Sequence, residues 1–278
     1  MIRILMPICT LVVLSLVSAS LCAQTPVEAT ASATPLANAH THNDYEHDRP
    51  LLDALDQGFT SIEADIFLVE GQLMVAHNLT DVSKERTLEK LYLQPLQERA
   101  AANNGRVYKD CPTVTLLVDI KINGVAAYAT LHNLLEQYDS LIFVTQDGKY
   151  TEKAVTVIIS GDRPIREIED SRSRRAGIDG RVPDLDGDKS AALLPLISDN
   201  WTSHFRYRGI GPMPDAERKK LHDMVGRAHA KGCRIRFWAT PENPVLWQEL
   251  KDAGVDLIGT DDLAKLSEFL RSSCVDPR

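Results

Sequence analysis

Cysteine is scarce in this sequence, and the few residues present exclude a fold built on disulfides or on structural zinc. Of the 5 cysteines, Cys111, Cys233 and Cys274 lie beyond the N-terminal region. Their odd number excludes a framework of paired disulfides, and none has a partner at the Cys-x-x-Cys spacing of a zinc site. We expect Cys233, which opens an apolar run, to be a small core residue.

An excess of positive charge is missing as well. The chain carries 31 Lys and Arg residues against 39 Asp and Glu residues, and its formal net charge is −8. A nucleic-acid backbone would repel such a chain unless its basic residues formed a local stripe. The candidate stripe, at residues 172–175, is short. The sequence therefore predicts no nucleic-acid partner.

Long apolar runs are confined to the N-terminus. Arg3 precedes an apolar stretch over residues 4–17, and small residues follow up to Ala23, which is the pattern of a secretory signal. The stretch is shorter than the roughly 20 residues of a membrane-spanning helix. We predict a signal peptide over residues 1–23, no transmembrane segment after its removal, and a secreted or periplasmic location. A lipid anchor on Cys22 is the alternative.

The segment that follows the predicted signal is polar. Residues 24–35 are rich in Ala, Thr and Pro and have too little apolar surface to offset the entropy of ordering. We predict a flexible tether there and one folded domain over residues 36–278. This length, about 240 residues, is usual for one barrel domain. We expect a monomer.

Short β-rich runs alternate with helical patterns along the folded part. Strands are predicted over residues 36–42, 61–67, 113–121, 141–144, 154–160, 194–198, 234–238 and 255–259. Helices are predicted over residues 50–57, 87–102, 126–138, 215–231 and 244–253. Residues 161–195, rich in Asp, Gly and Arg, are predicted to form a long loop. The regular alternation predicts an α/β fold of the (β/α)₈ TIM-barrel class, with an open doubly wound sheet as the alternative.

Two of the predicted strands carry acidic residues in apolar surroundings. Glu63 and Asp65 are two positions apart, as are Asp119 and Lys121, and alternate residues of a strand share a face. Inward carboxylates are costly unless they are neutralised. A hard divalent cation bound through oxygen would neutralise them. We predict that the three acids hold one such ion, with Lys121 placed to hold a phosphate oxygen.

Histidines stand next to these acids. His40 and His42 close the first predicted strand, and His77 follows a predicted hairpin with its turn at residues 70–71. Because imidazole titrates near neutral pH, two histidines that flank a bound phosphate can act in turn as base and acid. His40 and His42 share a face, so the spacing alone leaves the choice between them open.

A zinc site is the alternative that the same histidines raise. His40 and His42 form the His-x-His pair with which the first strand of barrel amidohydrolases binds metal. That site requires further histidines and an aspartate at later strand ends. The histidines after His77 stand mostly in predicted helices: His132, His204, His222 and His229. The sequence favours the phosphate-centred site.

These motifs resemble those of the phosphatidylinositol-specific phospholipase C-like phosphodiesterases, a superfamily that includes glycerophosphodiester phosphodiesterases and sphingomyelinase D. Its members carry a histidine after the first strand, a Gly-x-x-x-x-Glu-x-Asp strand and a histidine after a short hairpin. His42, residues 58–65 and His77 match these features, and the distance from His42 to Gly58 is similar to that in sphingomyelinase D. The resemblance favours His42 over His40 and implies a TIM barrel, a Mg²⁺ or Ca²⁺ ion and phosphodiester chemistry.

Later segments extend the resemblance over nearly all of residues 37–270. Residues 118–121 resemble the stretch that supplies the third metal acid and a lysine. Residues 237–240 resemble the aromatic-Thr end of a later strand, and this resemblance implies that Trp238 lines the substrate pocket. The His-x-His-Asn-Asp-Tyr opening and residues 194–201 look closer still to a group related to altered inheritance of mitochondria protein 6. Together with the predicted signal peptide, the resemblance implies a secreted, metal-dependent phosphoric diester hydrolase acting on a small-molecule or lipid phosphodiester.

One departure from the superfamily leaves the reaction open. Glycerophosphodiesterases follow the first histidine with Arg-Gly, whose arginine contacts phosphate, whereas Asn43 and Asp44 stand here. Cleavage that leaves a cyclic phosphate, as in sphingomyelinase D, is therefore an alternative to hydrolysis. A secreted binding protein without catalysis, which uses its acidic loops to hold a metal or a sugar, is the non-enzymatic alternative.

Overall fold

The computed structural model describes residues 33–109, 111 and 113–272. The predicted signal peptide, Cys274 and the predicted tether up to residue 32 lie outside the described residues. Residues 33–35 have no regular secondary structure. Among the helices of the described ranges, none combines the length and the apolar character needed to cross a membrane.

The strands alternate with helices along most of the described chain. The strands are β1 (Leu36–Thr41), β2 (Phe59–Val69), β3 (Gln72–Val75), β4 (Val114–Ile120), β5 (Val144–Gln146), β6 (Lys149–Thr151), β7 (Val155–Gly161), β8 (Ser173–Arg174), β9 (Gly177–Gly180), β10 (Leu196–Asn200), β11 (Arg234–Trp238) and β12 (Leu257–Thr260). The helices are α1 (Leu52–Asp56), α2 (Gln94–Ala102), α3 (Gly124–Glu136), α4 (Ile165–Glu169), α5 (Trp201–His204), α6 (Asp215–Ala230), α7 (Pro244–Asp252) and α8 (Leu263–Ser272). A π-helical turn, Glu89–Leu93, leads into α2.

Eight of the strands in the described ranges are parallel and close into a barrel. Their order is β1, β2, β4, β7, β9, β10, β11 and β12, and β12 pairs with β1 again. The predicted TIM barrel is confirmed, and the open doubly wound sheet is wrong. The end of β2 extends beyond the barrel and turns back into β3 through Glu70 and Gly71, both with positive φ. This is the predicted hairpin, and it brings the chain back to the carboxyl end of β2.

The fifth barrel strand is the main error of the sequence prediction. Residues 161–195 were expected to be loop, yet β9 lies in that segment and pairs with β7 and β10. The predicted strand over residues 141–144 is not a barrel strand. Within the described ranges Ile142 makes an isolated bridge to Val155, and β5, which begins at Val144, pairs with β6 and β8 in a small antiparallel sheet. Glycine at both ends of β9 hid the strand. A Cβ atom on Gly177 would lie 2.6 Å from the ring of Pro195. Only glycine fits at this position without a shift of the Pro195 segment.

The inside of the barrel changes from apolar to polar toward the carboxyl ends of the strands. Leu117, Ile158, Leu196 and Leu257 form a buried cluster separate from the main core. Leu117 lies two residues before Asp119 on β4, so both share the inward face. The apolar layer closes the barrel below the acids, and the polar side chains open toward the carboxyl ends of the strands, where TIM barrels carry their active sites.

Candidate active site

The carboxyl ends of the barrel strands surround a cavity of about 230 Å³. Its lining side chains belong to the barrel strands or directly follow them: His42, Glu63, Asp119, Lys121, Ser160, Arg181, Arg236 and Trp238. A second cavity of about 170 Å³ shares His42, Arg236 and Trp238 with the first. Trp238, 40% exposed, therefore forms part of the wall of both cavities.

Three carboxylates meet at the base of the larger cavity. Glu63, Asp65 and Asp119 each place one oxygen so that all three lie within 4.8 Å of one another. Asp65 and Asp119 are direct partners in the β2–β4 register. The Asp65 side chain is buried, and its Oδ1 atom has no hydrogen-bond partner in the described part of the chain. Three hard oxygen donors, one of them buried and unsatisfied, fit a divalent cation such as Mg²⁺ or Ca²⁺.

Lys121 is the counter-ion of this carboxylate cluster. Its Nζ atom lies 2.6 Å from Asp65 and 3.3 Å from Asp119. Burial raises the pKa of both aspartates even though the lysine opposes the shift. Burial works against protonation of Lys121, but Asp119 and Asp65 outweigh it and raise the lysine pKa. The predicted shared face of Asp119 and Lys121 is confirmed by these contacts.

Glu63 makes a second ion pair deep in the barrel. Its Oε2 atom accepts a hydrogen bond from Arg236 at 2.7 Å and lies 3.0 Å from the Nε2 atom of His40. Burial opposes ionisation, but Arg236 and His40 hold the pKa of Glu63 well below its usual range. Because Oε2 takes both contacts, Oε1 is the oxygen left to face a cation. Glu63 is thus charged and held in one orientation.

His40 has no free nitrogen for catalysis or metal binding. Its Nδ1 atom lies 2.8 Å from Ser61, and its Nε2 atom meets both Glu63 and Arg236. Burial and the neighbouring Arg236 guanidinium lower the pKa of His40 to about 4. The side chain is fully buried. These contacts argue against the zinc site that would have paired His40 with His42.

His42 and His77 stand exposed at the mouth of the barrel. The Nδ1 atom of His42 lies 2.9 Å from Asp261, and the side chain is 42% exposed. Burial opposes protonation of His42, but Asp261 and the charge of Glu63 raise its pKa. The Nδ1 atom of His77 lies 3.0 Å from the hydroxyl of Tyr45, which donates to Asp65 at 2.6 Å. Among the described residues both histidines make their contacts through Nδ1, so the Nε2 atoms can meet a substrate.

Several residues of this site escaped the sequence prediction. Arg236 is two positions before Trp238 on β11, so strand alternation could have placed it inside the barrel. The sequence prediction assigned no role to Tyr45 or Asp261. Arg181 follows a strand that was taken for loop, and its local sequence carries no signal of its position.

Asp44 lies outside the site, although it closely follows His42. Its carboxylate is fully buried and accepts hydrogen bonds from the backbone N–H of Leu51 at 2.5 Å and from the hydroxyl of Tyr92 at 3.0 Å. Burial raises the pKa of Asp44 to about 6, although both donors oppose the shift. Asp44 therefore holds the loop between β1 and α1 in place and supplies nothing to the cavity.

This shift predicts a pH-dependent stability. The pKa of Asp44 lies above its value of 3.8 in the unfolded chain, so its contribution is fully present below that value and is lost as the pH rises through about 6. Relative to Asp44→Asn, we expect the wild type to lose up to about 3 kcal/mol of unfolding free energy between pH 4 and pH 7. Urea unfolding of both proteins across this range measures the difference. Asp48→Asn, on the exposed part of the same loop, is the matched control. A difference that stays constant with pH would contradict the prediction.

Known proteins resemble this chain in sequence and in fold. The sequence matches the AIM6-like phosphodiesterase domain over residues 28–178. The altered inheritance of mitochondria protein 6 homolog of Arthroderma benhamiae is 27% identical over 272 residues, which cover 86% of this chain and 85% of that protein. Altered inheritance of mitochondria protein 6 of Eremothecium gossypii is 28% identical over 270 residues, which cover 84% of this chain and 69% of that protein. A solved glycerophosphodiester phosphodiesterase from Parabacteroides distasonis shares the fold, with a TM-score of 0.52 at 15% identity, covering 87% of this chain and 100% of that chain.

Proposed function

Because the chain belongs to the AIM6-like phosphodiesterase domain family, we propose that it is a secreted, metal-dependent phosphodiesterase. The observation that carries the proposal is the carboxylate cluster, of which Glu63 and Asp119 line the cavity, with the exposed His42 on the cavity wall and the exposed His77 beside Asp65. The substrate is a small-molecule or lipid phosphodiester, glycerophosphodiesters included. The cavity of about 230 Å³ has room for a phosphate group and the carbon atoms next to it.

The metal in this proposal is Mg²⁺ or Ca²⁺, held by Glu63, Asp65 and Asp119. When bound, the ion would offset the charge of the phosphate and polarise its oxygen atoms. Lys121 contributes an ammonium group at the same level of the barrel. It donates to a non-bridging phosphate oxygen, where its charge stabilises the negative charge that develops during the reaction.

The two histidines carry the proton transfers. One imidazole removes a proton from the attacking hydroxyl as its oxygen forms a bond to phosphorus, and the other protonates the leaving oxygen as its bond to phosphorus breaks. Asp261 fixes the tautomer and orientation of His42 through their contact of 2.9 Å. The hydroxyl of Tyr45 does the same for His77. Trp238 forms the apolar wall beside the leaving group.

The test is a substrate panel with the purified chain, with and without Mg²⁺. Bis(4-nitrophenyl) phosphate, a glycerophosphodiester, a lysophospholipid and a sphingolipid phosphodiester cover the proposed classes. We expect metal-dependent cleavage of at least one of them, and ³¹P NMR of the product separates hydrolysis to a monoester from formation of a cyclic phosphate. Binding of these compounds without turnover across the panel would contradict the proposal and favour a binding protein.

A further inference from the structure

The cations around the larger cavity are not equally available to a substrate. Among the described residues that line it, Lys121, Arg181 and Arg236 are cationic. Arg236 is buried and paired with Glu63 at 2.7 Å. Lys121 already forms ion pairs with Asp65 and Asp119. The two residues that follow His42, Asn43 and Asp44, add no cation. A phosphodiester that enters the cavity therefore meets one arginine whose carboxylate partner is not a member of the metal cluster.

Arg181 is held by one nitrogen of its guanidinium. The Nη1 atom donates to the carboxylate of Asp179 at 2.9 Å, to the Asp179 carbonyl at 3.1 Å and to the Gly180 carbonyl at 2.9 Å. The Nε and Nη2 atoms make no hydrogen bond within the part of the chain that the structure describes. The side chain is 28% exposed and lines the cavity. Its two remaining donors can therefore meet a ligand without breaking an existing contact.

The anchor of Arg181 is rigid. Asp179 is 1% exposed and also accepts a hydrogen bond from Ser160 at 2.8 Å. The backbone N–H of Arg181 donates to Asp184 at 2.7 Å, so the main chain is held as well. A guanidinium held in this way loses little conformational entropy when it binds an anion. Asp179, the buried acid of β9, takes no part in the proposed proton transfers. Its role is to hold Arg181 in place.

The barrel topology places Arg181 across the cavity from the first catalytic histidine. The strand β9 stands halfway round the barrel from β1, after which His42 lies. A phosphate in the cavity lies between the two. We propose that Arg181 binds a non-bridging oxygen of the phosphodiester through Nε and Nη2, the fork with which guanidinium groups hold phosphate. This role rests on the proposed function. It makes Arg181 the substrate-binding residue that fixes the phosphate opposite His42.

The inference is tested by anion binding together with turnover. We expect Arg181→Gln to weaken the binding of inorganic phosphate by about tenfold or more. Calorimetric titration with phosphate in the presence of Mg²⁺ measures this affinity. The same substitution should lower kcat/KM for bis(4-nitrophenyl) phosphate by about 10²–10³-fold. Arg181→Lys keeps the positive charge but lacks the two-nitrogen fork. Its phosphate affinity and kcat/KM should lie between those of the wild type and Arg181→Gln. Arg227→Gln is the matched control, because this exposed arginine forms an ion pair with Asp186 at the surface, outside the residues that line the cavity.

The outcomes separate this inference from the proposed function. Equal phosphate affinity of the wild type and Arg181→Gln overturns the role of Arg181, whatever the turnover. Absence of phosphate binding by the wild type overturns it too. If the wild type binds phosphate through Arg181 but cleaves no substrate of the panel, the phosphate site stands and the proposed phosphodiesterase activity fails. Equal thermal unfolding midpoints of the variants show that each result reflects the site and not the fold.

Discussion

Replacing either His42 or His77 by alanine is expected to lower kcat by about 10²–10⁴-fold, the usual contribution of a positioned acid or base. Both side chains are partly exposed, and each has its Nδ1 atom held, His42 by Asp261 and His77 beside Tyr45 and Asp65. Removal of His42 uncovers only the exposed Asp261, and the buried Tyr45 hydroxyl that loses His77 keeps its contacts with Asp65 and Asn43. The thermal unfolding midpoint should therefore stay close to that of the wild type. Turnover of one substrate at saturation, before and after each substitution, measures the effect.

Two substrates with different leaving groups then show which histidine is the acid and which is the base. A 4-nitrophenolate leaves without protonation, whereas an alkoxide does not. The variant that lacks the general acid should retain much more activity on bis(4-nitrophenyl) phosphate than on an alkyl diester. The variant that lacks the base should lose activity on both. His222→Ala, exposed on α6, is the control and should be fully active. Wild-type rates in both site variants would remove the acid–base pair from the proposal.

The second large effect is expected at the carboxylate cluster. Chelation should abolish turnover, and added Mg²⁺ or Ca²⁺ should restore it. Asp119→Asn should lower kcat/KM by about 10³-fold or more, since the loss of a metal-borne charge is comparable with the loss of several transition-state hydrogen bonds. Asp119 suits this test because its charge meets only Lys121 among described ion pairs, whereas Glu63 also holds Arg236 and His40.

Binding of the ion provides a readout that does not depend on activity. At a concentration 100 times the dissociation constant, a ligand of the folded state stabilises it by about 2.7 kcal/mol. Mg²⁺ or Ca²⁺ should therefore raise the unfolding midpoint of the wild type, and the rise should be absent in Asp119→Asn. Asp223→Asn, an exposed acid of α6 paired with Lys219, is the matched control. Full activity in chelator, together with no thermal shift on adding the ion, would refute the metal site.

The proposed mechanism depends on the separation of roles among similar residues. His40 and His42 are two positions apart, yet one is enclosed by Glu63 and Arg236 while the other faces solvent. Asp44 follows His42 closely but turns into the protein to hold Leu51 and Tyr92. Burial and hydrogen-bond partners, and not residue type, decide which side chain can meet a substrate.

Strand periodicity carried most of the correct prediction. In a strand, residues two positions apart share a face, so the pairing of Glu63 with Asp65 and of Asp119 with Lys121 follows from order along the chain. The alternation of strands and helices likewise predicts the barrel. These are local properties, and they hold before any tertiary contact forms. Local patterns failed at β9, where two glycines and an aspartate outweighed the one apolar residue.

The sequence by itself determined the barrel class, the inward faces of the acid-bearing strands and the candidate histidines, whereas the structure decided that His42 is exposed and His40 buried. Tertiary structure alone decided which distant groups meet. Glu63 and Arg236 are 173 residues apart, and His42 and Asp261 are 219 apart. No local period encodes such pairs, because they depend on barrel closure and on the register between strands. The closure is also what places Arg181 across the cavity from His42, on a strand that forms because β7 and β10 supply its hydrogen-bond partners.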